Sequence, residues 1–116
     1  MYFQNKKTGT LTSPYYIALT SCPNSTIATE LAETCVEKKL AACVNIIPIV
    51  QSIYQWQGKI EHDTESLLII KTTKDKLETL DAFIQKQHPY DIPEFITFNI
   101  ESGSKNYLDW ISQSIK

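Results

Sequence analysis

The spacing of apolar residues divides the first third of the chain into a strand and a helix. Residues 15–20 form a short, apolar, β-favouring run, which predicts a strand. From Ile27 to Leu40 apolar residues recur at helical spacing, and the glutamates between them predict one solvated face. Asn24 or Ser25, in the polar break before this segment, can cap the helix.

Two long β-type segments joined by a glycine turn predict an extended hairpin. Residues 43–57 are rich in Ile, Val and Tyr, and residues 60–72 return with an apolar second half. The turn lies around Gly58, between Gln57 and Lys59. Because proline cannot donate to a strand ladder, Pro48 predicts a bulge or an edge segment.

The last third of the chain predicts a helix, a strand and a second helix. Apolar residues at helical spacing run from Leu77 to Ile84, and the helix ends at His88 because a residue before proline avoids the helical region. Residues 95–100 alternate apolar and polar side chains, as in a half-buried strand. The final helix is predicted by an apolar stripe that consists of Tyr107, Leu108, Ile111 and Ile115.

The order of these elements predicts an α+β fold. It matches a ferredoxin-like βαββαβ sandwich with an extended central hairpin and a C-terminal helix. Right-handed crossovers would place both main helices on one face of an antiparallel sheet. Residues 1–14 are polar and unpatterned, so we expect a flexible N-terminal tail before a single domain at residues 15–116.

The central hairpin also predicts self-association. Its strands are about twice the usual length of roughly 5–6 residues, and a small domain cannot cover their outer half. Pairing with another subunit would bury the exposed edge, whereas the alternative is a free-standing twisted hairpin with solvated aromatic rings. The residues expected at this interface are Ile53, Tyr54, Trp56 and Ile60.

Composition narrows the classes of partner and the cellular compartment. The formal net charge of the 116-residue chain is −2, and all 11 basic residues are lysines, so we expect no nucleic-acid binding. Three cysteines without paired spacing do not resemble a secreted disulfide framework. The sequence shows neither a bilayer-length apolar run nor a signal-peptide core, so we expect a cytoplasmic protein without direct membrane insertion.

Several segments, in one order, resemble a known family. Residues 39–45 (KLAACVN) with Pro48, and residues 52–60 (SIYQWQGKI), resemble two signature segments of the CutA divalent-ion tolerance family. The resemblance covers about residues 15–115. Further matches are Glu65, Lys71-Thr72, His88-Pro89-Tyr90, Pro93-Glu94 and residues 107–110 (YLDW).

The resemblance implies a ferredoxin-like homotrimer, similar in shape to the PII signalling proteins, whose hairpins pair at their edges. It also implies a non-enzymatic role in tolerance to divalent metals, above all copper. Some animal members of the family are associated with anchoring acetylcholinesterase to membranes. The alternatives are a PII-like regulator that binds a small metabolite or nucleotide between subunits, a scaffold for an unidentified protein partner, and an enzyme with a site at His88, Tyr90 and Glu94.

Two residues are candidate metal ligands. The resemblance favours His88 as a ligand for copper, since imidazole suits that metal. The alternative is a helix-end histidine that interacts with the helix dipole or bonds a carbonyl. The family's proposed copper contacts include a cysteine and a second histidine at positions that here hold Thr20 and Gln87. Cys22 would face the same side as Thr20 if the first strand continues, so it is the second candidate.

Polar and aromatic residues near strand ends form a second candidate set, which could line a ligand cleft between subunits. The alternative is structural, with aromatic rings packing the last helix and Lys71 in an ion pair with Glu94 or Glu65. No phosphate-binding loop, dinucleotide fingerprint or catalytic motif is present in the sequence. The five candidates are Lys71, Tyr90, Glu94, Tyr107 and Trp110.

Overall fold

The computed structural model describes residues 3–4 and 11–116. Four strands form an antiparallel sheet in the order β4 (Cys43–Trp56), β5 (Lys59–Thr73), β3 (Tyr15–Cys22) and β6 (Ile96–Asn99), which confirms the predicted α+β fold. In chain order the elements are β1 (Phe3–Gln4), β2 (Leu11–Thr12), β3 (Tyr15–Cys22), α1 (Ser25–Glu37), β4 (Cys43–Trp56), β5 (Lys59–Thr73), a 3-10 turn (Lys74–Lys76), α2 (Leu77–Gln87), β6 (Ile96–Asn99) and α3 (Lys105–Ser114).

The N-terminal tail predicted for residues 1–14 falls mostly outside the described residues, where it stays a prediction. In the described part, β1 pairs with β2 as a short antiparallel ribbon. Ser13 is buried, and its hydroxyl accepts a hydrogen bond of 2.9 Å from the backbone N–H of Tyr15. The carbonyl of Pro14 accepts from Lys74 at 2.7 Å, so the backbone is tied to the sheet just before β3 begins.

The central hairpin is as long as the pattern predicts, with 14 residues in β4 and 15 in β5. Gln57 and Gly58 connect the strands, and both have positive φ angles, 50° and 80°. This is the backbone of a tight turn whose twist matches that of the strands. The predicted bulge is confirmed, because the pairing register shifts between Ile47 and Val50, around Pro48.

Helices α1 and α2 cover one face of the sheet, as predicted. The alternating residues of β3 and β5 on that face are buried, among them Ala18, Cys22, Leu68 and Ile70. They pack against Leu31 and Cys35 of α1 and against Leu80 and Ile84 of α2. Asn24 caps α1 by accepting from the N–H of Ile27 at 2.9 Å. This face holds the main hydrophobic core.

The opposite face of the sheet is largely open. Helix α3 covers only one end of it, where Leu108 and Ile111 pack with Tyr15, and the Tyr15 phenol lies 2.6 Å from the hydroxyl of Ser112. By the strand registers, the rest of this open face presents an apolar strip across β6, β3 and β5. The strip consists of Ile96, Phe98, Ile17, Leu19, Leu67 and Ile69, all half-buried or exposed. Within the part of the chain that the structure describes, no further layer covers this strip.

Candidate functional site

His88 is a buried residue at the C-terminus of α2, with 6% of its surface exposed. Its Nε2 atom lies 2.7 Å from the carbonyl oxygen of Ser21, and its Nδ1 accepts from the backbone N–H of Tyr90 at 3.1 Å. A neutral imidazole has one donor and one acceptor nitrogen, so both are used here. A metal ion at His88 would therefore have to replace one of these hydrogen bonds. The alternative role predicted for His88, a hydrogen bond to a carbonyl group, is the one seen in the structure.

Cys22 is the last residue of β3, so the strand continues far enough to place it on the same face as Thr20. Both side chains are fully buried on the helix side of the sheet. Burial, with the nearby Glu65 charge as a smaller cause, raises the pKa of the Cys22 thiol to about 11. Because the thiolate is the form that binds metals, a metal at Cys22 would have to displace a tightly held proton.

A cavity of about 470 Å³ lies where the loop before β6 meets the hairpin. Its lining combines carboxylates with aromatic rings, and the residues that matter below are Tyr54, Trp56, Asp63, Glu65, Tyr90 and Glu94. Only 8% of the Glu65 surface is exposed, and its carboxylate accepts a hydrogen bond of 2.7 Å from the Tyr90 phenol. We call this site the acidic pocket.

In the described part of the chain, no cationic side chain forms an ion pair with the carboxylates of the acidic pocket. The ion pair found in this part joins Lys105 and Asp109 on α3. Burial, together with the Glu65 charge, raises the pKa of Glu94. Burial and the hydrogen bond to Glu65 also raise the pKa of Tyr90. The hydrogen bond to Asp63 raises the pKa of Tyr54 to about 12. The pocket is therefore an electronegative environment that a positive charge would stabilise.

Lys71 belongs to a different cluster, at the opposite end of the open face. Its ammonium group donates a hydrogen bond of 3.2 Å to the Tyr107 phenol and lies 5.4 Å from the centre of that ring. Tyr107 stacks on Trp110, with ring centres 5.5 Å apart. Both rings are more than two-fifths exposed, whereas Leu108 and Ile111 pack α3. The rings therefore do not serve mainly to pack the helix.

The structure divides the five predicted cleft residues into two groups. Tyr90 and Glu94 line the acidic pocket, while Lys71 lies six residues along β5 from Glu65, about 20 Å at the usual rise per residue. The alternative of an ion pair between Lys71 and Glu65 or Glu94 is not found among the described residues. Asp63 was not singled out from the sequence, although its i, i+2 spacing from Glu65 on a strand placed both on one face.

No group of three His, Cys, Asp or Glu side chains in residues 3–4 and 11–116 is arranged to hold a metal ion. The helices of this part are all too short or too polar to span a bilayer. The four predicted interface residues are exposed, by 60% for Ile53, 42% for Tyr54, 58% for Trp56 and 64% for Ile60.

Comparisons with known proteins agree with the fold. The sequence model of the CutA1 divalent ion tolerance protein family matches residues 16–114. The Protein CutA homolog of Xenopus laevis is 47% identical over 84% of this chain, which spans 65% of that relative's length. The divalent-cation tolerance protein CutA of Thermus thermophilus is 40% identical, over 84% of this chain and 95% of its own.

A solved structure is also similar to this chain. The crystal structure of CutA1 from Oryza sativa superposes with a TM-score of 0.87, at 40% identity, over 90% of this chain and 96% of that one. None of these names describes an enzymatic activity. The resemblance inferred from the sequence motifs is thus confirmed, and the chain belongs to the CutA1 divalent ion tolerance protein family.

Proposed function

We propose that this protein acts as a homotrimer that binds divalent cations, copper foremost, and contributes to divalent-ion tolerance without catalysing a reaction. The observation that carries the proposal is the family match over residues 16–114. We also propose that the protein lies in the cytoplasm, because its three cysteines lack the paired spacing of a secreted disulfide framework. We favour neither a metabolite-binding regulator nor a scaffold.

Two exposed surfaces support the trimer. The apolar strip of the open face carries Ile96 and Phe98, each about half exposed, and the hairpin carries Ile53 and Ile60. Monomeric proteins rarely leave apolar surface of this extent in water. A closed ring of subunits would cover it, because a heterologous contact that closes buries two different patches of each subunit.

Light scattering in dilute solution should report three times the chain mass of 13.3 kDa. Ile53→Lys should weaken the assembly, because it would place a charge against apolar surface of a neighbouring subunit. Gln113→Lys adds the same charge at an exposed position of α3 and should leave the trimer intact. A stable wild-type monomer would contradict the proposal.

We propose that copper binds weakly and in part through His88. Imidazole nitrogen is a good ligand for copper, but in the subunit both His88 nitrogens already have hydrogen-bond partners. Binding therefore has to break one of these bonds, and the lost bond lowers the affinity. Residues of a neighbouring subunit would supply the further ligands that metal sites need.

Calorimetric titration with copper tests this assignment. His88→Gln keeps an amide donor that can reach the Ser21 carbonyl, so it preserves the fold better than alanine. His62→Gln, at the exposed end of the hairpin, is the matched control. We expect His88→Gln to lose the copper heat while His62→Gln retains it. Equal binding by the wild type and His88→Gln would remove His88 from the site.

A further inference from the structure

The open face of the sheet has opposite charge at its two ends. At the α3 end the ammonium group of Lys71 has a phenol but no carboxylate as partner among the described residues. At the other end the acidic pocket holds Asp63, Glu65 and Glu94, and no cation of residues 3–4 or 11–116 pairs with them. The apolar strip lies between them.

Burial of the open face would cost free energy, because the opposite charges at its two ends are too far apart to pair. Glu65 is already almost fully covered, and in the described part of the chain its carboxylate accepts a hydrogen bond from the neutral phenol of Tyr90. A charge that is removed from water needs a partner of opposite charge or several hydrogen bonds. If a second subunit covered the apolar strip, Lys71 and Glu94 would lose much of their remaining solvent as well. The face can be buried at low cost only if each end meets the opposite charge.

The two ends cannot meet within one subunit. Lys71 and Glu65 are six residues apart along β5, about 20 Å, whereas a lysine side chain spans only about 6 Å. Lys71 and Glu94 likewise form no ion pair in the described residues. They can meet between subunits, because a heterologous interface in a ring brings two different parts of the surface together at every contact.

We propose that the acidic pocket is completed by a second copy of this chain, whose Lys71 enters it and pairs with Glu94 and Glu65. This inference rests on the proposed trimer. Each subunit then gives its Lys71 to one neighbour and receives a lysine from the other. Tyr54 and Trp56 on the pocket wall suit the arrival of an ammonium group, because aromatic faces attract cations.

Lys71 would also bring its own aromatic neighbours to the contact. Tyr107 and Trp110 lie beside Lys71 and expose their rings. Aromatic residues that surround a charged pair exclude water and strengthen the contact. The two groups of predicted cleft residues, which are apart in the subunit, would thus be united between subunits.

Mixing two charge-reversed variants tests the proposal. Lys71→Glu and Glu94→Lys are prepared separately, one with nitrogen-15 label, then mixed, unfolded, refolded and analysed by native mass spectrometry. Each variant alone brings like charges together at every interface, and we expect its trimer to dissociate at about tenfold higher concentration than the wild type, or more. In a mixed trimer the reversed residues face each other at one interface and the native pair forms at another. Mixed trimers should therefore exceed their binomial proportion.

The control is a pair of reversals away from the open face. Lys86→Glu and Glu78→Lys both lie exposed on α2 and should assemble in binomial proportions. Circular dichroism verifies that every variant folds. If the reversed subunits do not assemble at all, trimer dissociation is measured for Lys71→Met, Glu94→Gln and the double variant. Effects of the two single substitutions that do not add up to the effect of the double variant would support the contact.

The outcomes separate this inference from the trimer on which it rests. A wild-type monomer would overturn both. A wild-type trimer with binomial mixing of the reversed variants, or with additive effects in the cycle, would overturn the Lys71 contact alone. In that case a rise in the melting temperature of the wild type with spermidine would assign the pocket to a free amine instead.

Discussion

The phenol of Tyr90 donates a hydrogen bond of 2.7 Å to the carboxylate of Glu65, across 25 positions of sequence. This bond joins the loop before β6 to the base of the hairpin and forms one wall of the acidic pocket. It also places a buried carboxylate beside the proposed subunit contact. The stability of the pocket can therefore be tested through this pair.

Tyr90→Phe should destabilise the fold by about 1–3 kcal/mol, because the buried Glu65 carboxylate loses the hydrogen bond that it accepts from Tyr90. Gln85→Met removes an exposed hydrogen bond to Asp81 on α2, away from the proposed contact, so it should cost less than about 0.5 kcal/mol. Urea unfolding at one fixed protein concentration measures both free energies. Equal losses would show that burial of Glu65 does not matter.

The buried hydroxyl of Thr20 should make the wild type less stable than a near-isosteric variant. Its Oγ1 atom has no hydrogen-bond partner in the described residues, although the side chain is fully buried. Thr20→Val removes this unpaired group, and we expect a gain of about 1 kcal/mol in unfolding free energy. Thr72→Val is the control, because Thr72 donates to the Leu40 carbonyl at 2.7 Å and its loss should destabilise. A gain in both variants would contradict the argument.

The end of α1 offers a second stabilising change. Lys39 has a φ of 59°, and Leu40 and Lys39 donate to the carbonyls of Cys35 and Val36, in the arrangement that usually ends with glycine. Lys39→Gly should add about 1 kcal/mol, since the left-handed backbone is strained for residues with a Cβ atom. Lys38→Gly, at a φ of −81°, should destabilise instead. Thermal unfolding of the two variants separates these outcomes.

The core cysteines should resist alkylation in the native protein. Burial raises the pKa of both Cys22 and Cys35 to about 11, so the reactive thiolate is scarce at neutral pH and the sulfur is out of reach of the reagent. Their reaction with a thiol reagent at about pH 8 should proceed only as fast as the protein unfolds. The exposed thiol of Glu78→Cys should react at once. Fast labelling of Cys22 in the folded protein would contradict this expectation.

The titration of Glu94 reports on the proposed contact. In a single subunit, burial and the Glu65 charge raise the pKa of Glu94. The contribution of Glu94 to the free energy of unfolding is therefore fully present below its normal pKa of 4.5, and it is lost as the pH rises through the pKa of the folded state. A lysine from a neighbour would lower this pKa. Carbon-13 NMR of the carboxyl group should therefore show a higher pKa of Glu94 in Lys71→Met than in the wild type. An unchanged pKa would contradict the lysine contact.

Features governed by local geometry could be predicted from the chain alone. Asn24 caps α1 because its side chain bonds a backbone N–H three residues ahead. Pro48 marks the bulge because it has no N–H to donate, and α2 ends before Pro89 because the ring restricts His88. Each of these depends on atoms that are close in sequence.

The tertiary structure alone decided how the predicted site residues are grouped. His88 lies beside Ser21, and Tyr107 lies beside Lys71, through contacts that span 67 and 36 positions of the chain. Sequence spacing carries no information on such distances. From the sequence alone, Lys71 could therefore form an ion pair with Glu94 or Glu65 of the same chain. Packing of the strands placed opposite charges at the two ends of one sheet face, because residues six apart on an extended strand cannot approach each other.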